Sequence, residues 1–198
     1  VGPTLLPEHG RGFHGISQVE GHCGATDRRI RLGQPELLEQ DGDIVLSAED
    51  AALGLKVRTR LSFDGDVLVQ GGSLSNTGAQ SLSLQRAASL LFPAPDWASE
   101  VRTHAGAWGR EGNPVTHRWT AGRIEQSARS GRPGFDGGPT LSLTEMNAGV
   151  AHGRWLTVHL AWSGPVRLAA ERLTDGSGQV LAERLFLLGE ACLRVGET

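Results

Sequence analysis

The chain has 198 residues, of which 38% are hydrophobic and 21% charged, with a formal net charge of −3. That balance describes a globular chain able to bury roughly 70% of the surface its unfolded form exposes without disulfides or metals, yet too short for a complete (β/α)₈ barrel of about 250 residues. It lacks the basic excess that nucleic acid or an anionic membrane demands, and no apolar run approaches the ~20 residues of a membrane span; no nucleic-acid and no membrane partner is expected.

The opening Val1-Gly2-Pro3-Thr4 carries no signal pattern and no Met, so the natural start, with any targeting segment, is expected to be missing. His9, His14 and His22 are spaced too loosely for a structural zinc site, whose ligands come in tight pairs; a loop is expected there, with no metal and no cofactor. Cys23 and Cys192 form no CxxC or CxxH unit, so idle thiols are expected. Asn76, Asn113 and Asn147 open no Asn-x-Ser/Thr sequon, which together with the idle thiols favours a cytoplasmic location.

Glycine is 28 of the 198 residues and falls singly between apolar runs, the punctuation of many strands joined by turns. Pro35 to Gln40 and Pro93 to Arg102 are the helix-like windows, and neither carries the stripe of a core helix. Leu55 to Phe63 alternates, with Leu55, Val57, Leu61 and Phe63 on one face, and Asp64-Gly65-Asp66 turns it into Val67 to Gln70 as a hairpin. Leu74-Ser75, then Asn76-Thr77-Gly78, then Leu82 to Leu84 extend this into an antiparallel meander. Arg154 to Trp162 sets Leu156, Val158, Leu160 and Trp162 on one face, predicted to line a core between sheets, and Ser163-Gly164-Pro165 is predicted to turn it into a hairpin with Val166 to Glu171. About a dozen short strands in one domain, residues 1–198, predict an all-β fold of two stacked antiparallel sheets.

The chemically richest stretch runs from Val101 to Phe135. It gathers Arg102, Arg110, Arg118, Arg123, Arg129 and Arg132 with Trp108 and Trp119, against Glu111 and Glu125. Interleaved Arg and Trp is the composition of interface anchors, although each arginine could equally be solvated or paired locally. No spacing singles out the paired carboxylates of a glycosidase, and no Gly-x-Ser-x-Gly, Walker or dinucleotide fingerprint is present. Five tryptophans without a tyrosine hint at carbohydrate, because sugar C–H faces stack on indole. Trp155 and Trp162 are expected to be structural, whereas Trp108, between Gly106-Ala107 and Gly109-Arg110-Glu111, is the candidate ligand face, with Arg110 and Glu111 able to orient hydroxyls.

Four ordered motifs carry a resemblance: Ala94-Pro95-Asp96-Trp97-Ala98-Ser99-Glu100, Gly106-Ala107-Trp108-Gly109-Arg110-Glu111, Ser127 through Asp136, and His159-Leu160-Ala161-Trp162-Ser163-Gly164. In this order they resemble the N-terminal domain of glycoside hydrolase family 36 α-galactosidases, and Gly189-Glu190 and Gly196-Glu197-Thr198 resemble that family's segments before its barrel. Ala107, Ala128, Pro133, Phe135 and Pro165 depart from the family pattern, and Cys23 stands where an arginine is expected. The resemblance implies a β-supersandwich of the galactose mutarotase-like kind and a retaining parent enzyme acting on terminal α-galactosides. It further implies that both catalytic aspartates lie in a barrel absent from this chain, so that the chain's partners are that barrel, other copies of itself in a homo-oligomer and, in the full enzyme, an α-galactoside. The alternative is a stand-alone carbohydrate-binding module.

Overall fold

The computed structural model describes residues 2–110, 112–131, 134 and 137–198. Its strands are β1 (Val19–Cys23), β2 (Thr26–Arg28), β3 (Glu36–Gln40), β4 (Asp43–Asp50), β5 (Leu55–Asp64), β6 (Val67–Asn76), β7 (Leu82–Pro93), β8 (Glu100–Ala105), β9 (Asn113–Arg118), β10 (Gly122–Ala128), β11 (Thr140–Thr144), β12 (Trp155–His159), β13 (Val166–Arg172), β14 (Gly178–Arg184) and β15 (Cys192–Leu193). Among the described residues the helical part is a single 3₁₀ turn, His9–Arg11, and no helix is long and apolar enough to cross a membrane. The fold is all-β with antiparallel sheets, as the alternating runs predict.

The chain divides into two compact units. One comprises Glu8–Ser89 with Phe186–Thr198, the other Gly2–Pro7 with Leu90–Leu185. In the first, β3-β4-β5-β6 form a continuous antiparallel meander. The alternation of β5 is visible in its burial, with Leu55, Val57 and Thr59 buried and Lys56, Arg58 and Arg60 exposed. Towards the tip of the β5–β6 ribbon the pattern fails: Phe63 is 75% exposed and Val67 62%, and Leu37 and Ile44 on the neighbouring strands are exposed too.

One helix-like window resolves as a strand here, and two expectations are corrected. Glu36–Gln40 is a strand because Asp41 (φ 54°) and Gly42 (φ 84°) both adopt left-handed backbone, the requirement of a two-residue type I′ turn that folds β3 back onto β4. The meander ends at β6, since β7 pairs with β1 and β15 instead. Ser163-Gly164-Pro165 is no hairpin turn either: β12 belongs to the sheet β12-β11-β8-β9, while β13 lies between β10 and β14 in the opposite sheet. The segment therefore carries the chain from one layer to the other, and Leu185 N–H donates to Pro165 O at its far side (3.0 Å).

The second unit is a sandwich of those two sheets. Val101 of β8, Leu141 and Leu143 of β11 and Val158 of β12 meet Ala128 of β10, Val166, Leu168 and Ala170 of β13, and Val180 and Ala182 of β14 in one core. Leu160 joins this core and Leu156 packs at its margin, but Trp162 does not belong to it. The strand ends at His159, so the alternation that held through Val158 no longer governs residue 162, which is 38% exposed.

Candidate functional site

The turn between β8 and β9 holds two of the three sequence-selected site residues. The strands pair in register from Glu100↔Arg118 to Ala105↔Asn113, and the link closes with Arg110 N–H donating to Ala107 O at 2.8 Å. Gly109 (φ 74°) and Gly112 (φ 77°) supply the left-handed backbone such a tight link needs, which is the local reason for glycine at these positions. Trp108 sits at the tip with 87% of its surface exposed, and Arg110 is exposed in the same turn. Glu111 lies outside the described residues, as do Arg132, Pro133, Phe135 and Asp136 of the arginine-rich stretch.

Below the turn the hairpin is firmly held. Arg102 donates to Ala148 O, approaches Glu100 at 3.7 Å and stacks over Trp155 at 4.4 Å from the ring centroid. Gln126, 8% exposed, accepts from His104 N–H (2.8 Å) and donates to Gly138 O (2.6 Å), so one amide ties β8 and β10 to the segment before β11. The candidate site is thus a solvent-facing indole on a hairpin anchored at its base.

The other four tryptophans are each covered by an arginine. Arg102 lies over Trp155, Arg154 over Trp97 (5.1 Å), Arg172 over Trp119 (4.2 Å) and Arg184 over Trp162 (4.0 Å). Among the described residues Trp108 is the tryptophan without such a partner. The arginines of the rich stretch likewise do not act together: Arg102 is held inward, Arg123 pairs with Glu171 at 3.1 Å, and Arg110 and Arg118 reach solvent.

Several acidic side chains among the described residues of this unit are similarly paired. Arg167 bridges Glu183 (2.7 Å) and Glu125 (3.4 Å), Glu171 also accepts from Gln179 (2.9 Å), and Glu145 accepts from Arg154 (2.9 Å). The hydrogen bond from Arg154, reinforced by the charges of Arg154 and His152, holds the Glu145 carboxyl below the usual glutamate range. Hydrogen bonds from Ser177 lower Asp175 in the same way at the β13–β14 turn. A carboxyl held low by a guanidinium, as at Glu145, is a poor proton donor, because the neighbouring positive charge favours its ionised form. No group of three or more His, Cys, Asp or Glu among the described residues gathers as metal ligands. The open clefts of the first unit mix signs, as where Arg28, Arg29 and Arg31 share a lining with Asp27 and Glu49.

Sequence reasoning placed Trp108 in a flexible, glycine-flanked context, and the structure has it exposed in a turn. It missed the arginine caps, because stacking partners such as Arg184 and Trp162 are far apart in sequence and meet only through sheet pairing.

The profile of the family described as "Glycosyl hydrolase family 36 N-terminal domain" matches residues 3–184. An α-galactosidase of Escherichia coli is 30% identical over 196 residues, which is 98% of this chain and 28% of that protein. The α-galactosidase AgaB of Geobacillus stearothermophilus superposes with a TM-score of 0.83 at 19% identity, covering 98% of this chain and 30% of the other. That of Lactobacillus brevis does so with a TM-score of 0.78 at 20% identity, covering 96% and 29%. The chain therefore spans about three-tenths of the length of the relatives it matches. Its stacked sheets, its ordered motifs and the family match over nearly its whole length agree: the chain belongs to glycoside hydrolase family 36, as the N-terminal domain of that family.

Proposed function

We propose that this chain is the non-catalytic N-terminal domain of a retaining, α-galactosidase-like enzyme of the cytoplasm, which packs on a catalytic barrel and helps shape substrate access and assembly. The observation that carries this reading is the identity with the Escherichia coli α-galactosidase, which extends over 98% of this chain but only 28% of that protein. The paired carboxylates support a role without chemistry of its own, since hydrolysis with retention needs two carboxyl groups about 5–5.5 Å apart, one free to give and take a proton and the other free to attack the sugar as a carboxylate. The apolar end of the β5–β6 ribbon supports burial against a barrel or another copy, because Phe63, Val67 and Val69 stand in water without cover. The exposed indole of Trp108, in the sequence Trp108-Gly109-Arg110-Glu111, is the proposed contribution to substrate recognition. No cofactor enters this reading.

The test compares the 198-residue chain with the longer protein on an aryl α-galactoside. Hydrolysis by the longer protein and none by the chain is expected. Turnover by the purified chain that disappears when one of its own acidic residues is replaced would overturn the assignment. The exposure of Trp108 also favours a second reading, a stand-alone carbohydrate-binding module, which predicts saturable sugar binding by the chain with no barrel encoded downstream of Thr198.

A further inference from the structure

We propose that Trp155 is a second aromatic platform, a binding site for a neutral sugar ring separate from the Trp108 turn. Trp155 opens β12. Its neighbours Leu156 and Val158 point to the core side, so Trp155 and Thr157 lie on the outer face of the sheet, where Trp155 is paired with Thr144 and Thr157 with Ser142.

Two contacts fix the indole. The Arg102 guanidinium lies 4.4 Å from the ring centroid, and the indole Nε1–H donates to Gly149 O at 3.3 Å. Arg102 is itself anchored on Ala148 O and beside Glu100. Beside these contacts Trp155 retains 40% exposure.

This distinguishes it from the other capped tryptophans. Trp162 has Arg184 at 4.0 Å and also Gly164 so close that a Cβ there would fall 2.5 Å from the indole Nε1. Trp119 is held between Arg172 and Gly178 and is 4% exposed. Trp97 carries Arg154 and is half-buried.

A stacked, hydrogen-bonded indole loses little rotamer freedom when a ligand lands on it, and its apolar face suits the C–H face of a pyranose. The surrounding sheet face supplies hydroxyl and imidazole partners: Thr157, whose hydroxyl meets that of buried Ser142 at 2.8 Å, and His159, both exposed on the same face of β12. Charge selects the ligand class. Glu100 is beside Arg102 and Glu145 is paired with Arg154, so the patch holds matched charges and suits a neutral polyol better than an ion.

The choice of an α-galactosyl sugar as first probe rests on the proposed function; the platform itself does not. The ¹⁵N-labelled 198-residue chain is titrated with raffinose and, separately, with maltose, following the five indole N–H signals, with Trp155→Phe assigning its own. A saturable shift of the Trp155 signal with either sugar, while buried Trp119 stays put, is expected. Trp155→Ala should then weaken binding about tenfold with the fold retained, and Trp155→Phe should weaken it less. A Trp155 signal unmoved by both sugars, or an affinity unchanged in Trp155→Ala, overturns the proposal. Because the readout is binding and not hydrolysis, sugar on Trp155 beside an inactive longer protein would sink the α-galactosidase reading alone.

Discussion

Leu143 is the most sensitive probe of the sandwich. It lies in β11, the strand flanked by β8 and β12, with Val101 and Leu156 as its cross-strand partners and no exposed surface. Leu143→Ala removes three carbon groups, worth about 2.4 kcal/mol of transfer free energy at ~0.8 kcal/mol each. A strand bonded on both sides cannot close over the gap, so the residual cavity should bring the total to about 3–4 kcal/mol. Leu160→Ala, just past the end of β12 and 7% exposed, should cost about 2–3 kcal/mol, and half-buried Leu156→Ala about 1–2 kcal/mol. All five tryptophans, at 97, 108, 119, 155 and 162, fall in the unit containing Leu143, so tryptophan emission during urea unfolding reports this sandwich selectively. For a chain of this size the largest loss should lower the thermal midpoint by roughly 6–16 °C. A cost at Leu143 below that at Leu156 would refute the placement of the core.

Other perturbations follow from single contacts. Trp108→Ala, at a site with 87% exposure, should change stability by less than about 0.5 kcal/mol while weakening substrate binding in the longer protein; calorimetry beside KM measurements separates the two, and lost stability would instead make Trp108 a packing residue. Gly164→Ala would place a Cβ 2.5 Å from the Trp162 indole and push it off Arg184, costing about 1–2 kcal/mol and moving the Trp162 indole N–H resonance. The Glu145 carboxyl is depressed by Arg154, so its ion pair is intact above the ordinary glutamate range and is lost as pH falls through the lower folded value; carbon-detected titration should show that midpoint rise in Arg154→Gln.

What could be read ahead of the structure was the periodicity of single strands. Leu55 to Phe63 alternates because one face is buried, and burial of Leu55, Val57 and Thr59 is the outcome. Pairing partners were harder. Ser163-Gly164-Pro165 has the composition of a hairpin, but turn residues fix only that the chain bends, and two layers 10 Å apart can be joined by the same bend that joins two paired strands. The helix-like reading of Pro35 to Gln40 passed over Asp41-Gly42, a dipeptide whose preference for left-handed backbone announces the turn that makes β3 a strand. Of the site, the exposed Trp108 was legible from its flanking glycines. The capped state of Trp155 was not, since Arg102 reaches it across β11 from 53 positions away in the chain.

The uncovered end of the β5–β6 ribbon sets how the purified chain should behave in a tube. Phe63 on one face of the ribbon and Val67 with Val69 on the other are exposed apolar strand residues of the kind on which like molecules stick, and Asp64 and Asp66 at its tip, with Asp41 on the adjoining turn, act as gatekeepers by mutual repulsion. That protection is electrostatic and works over only ~10 Å at 0.1 M salt, shrinking to ~3 Å at 1 M. Handling and storage should therefore favour low ionic strength, and concentrated salt should drive the chain out of solution through this ribbon first.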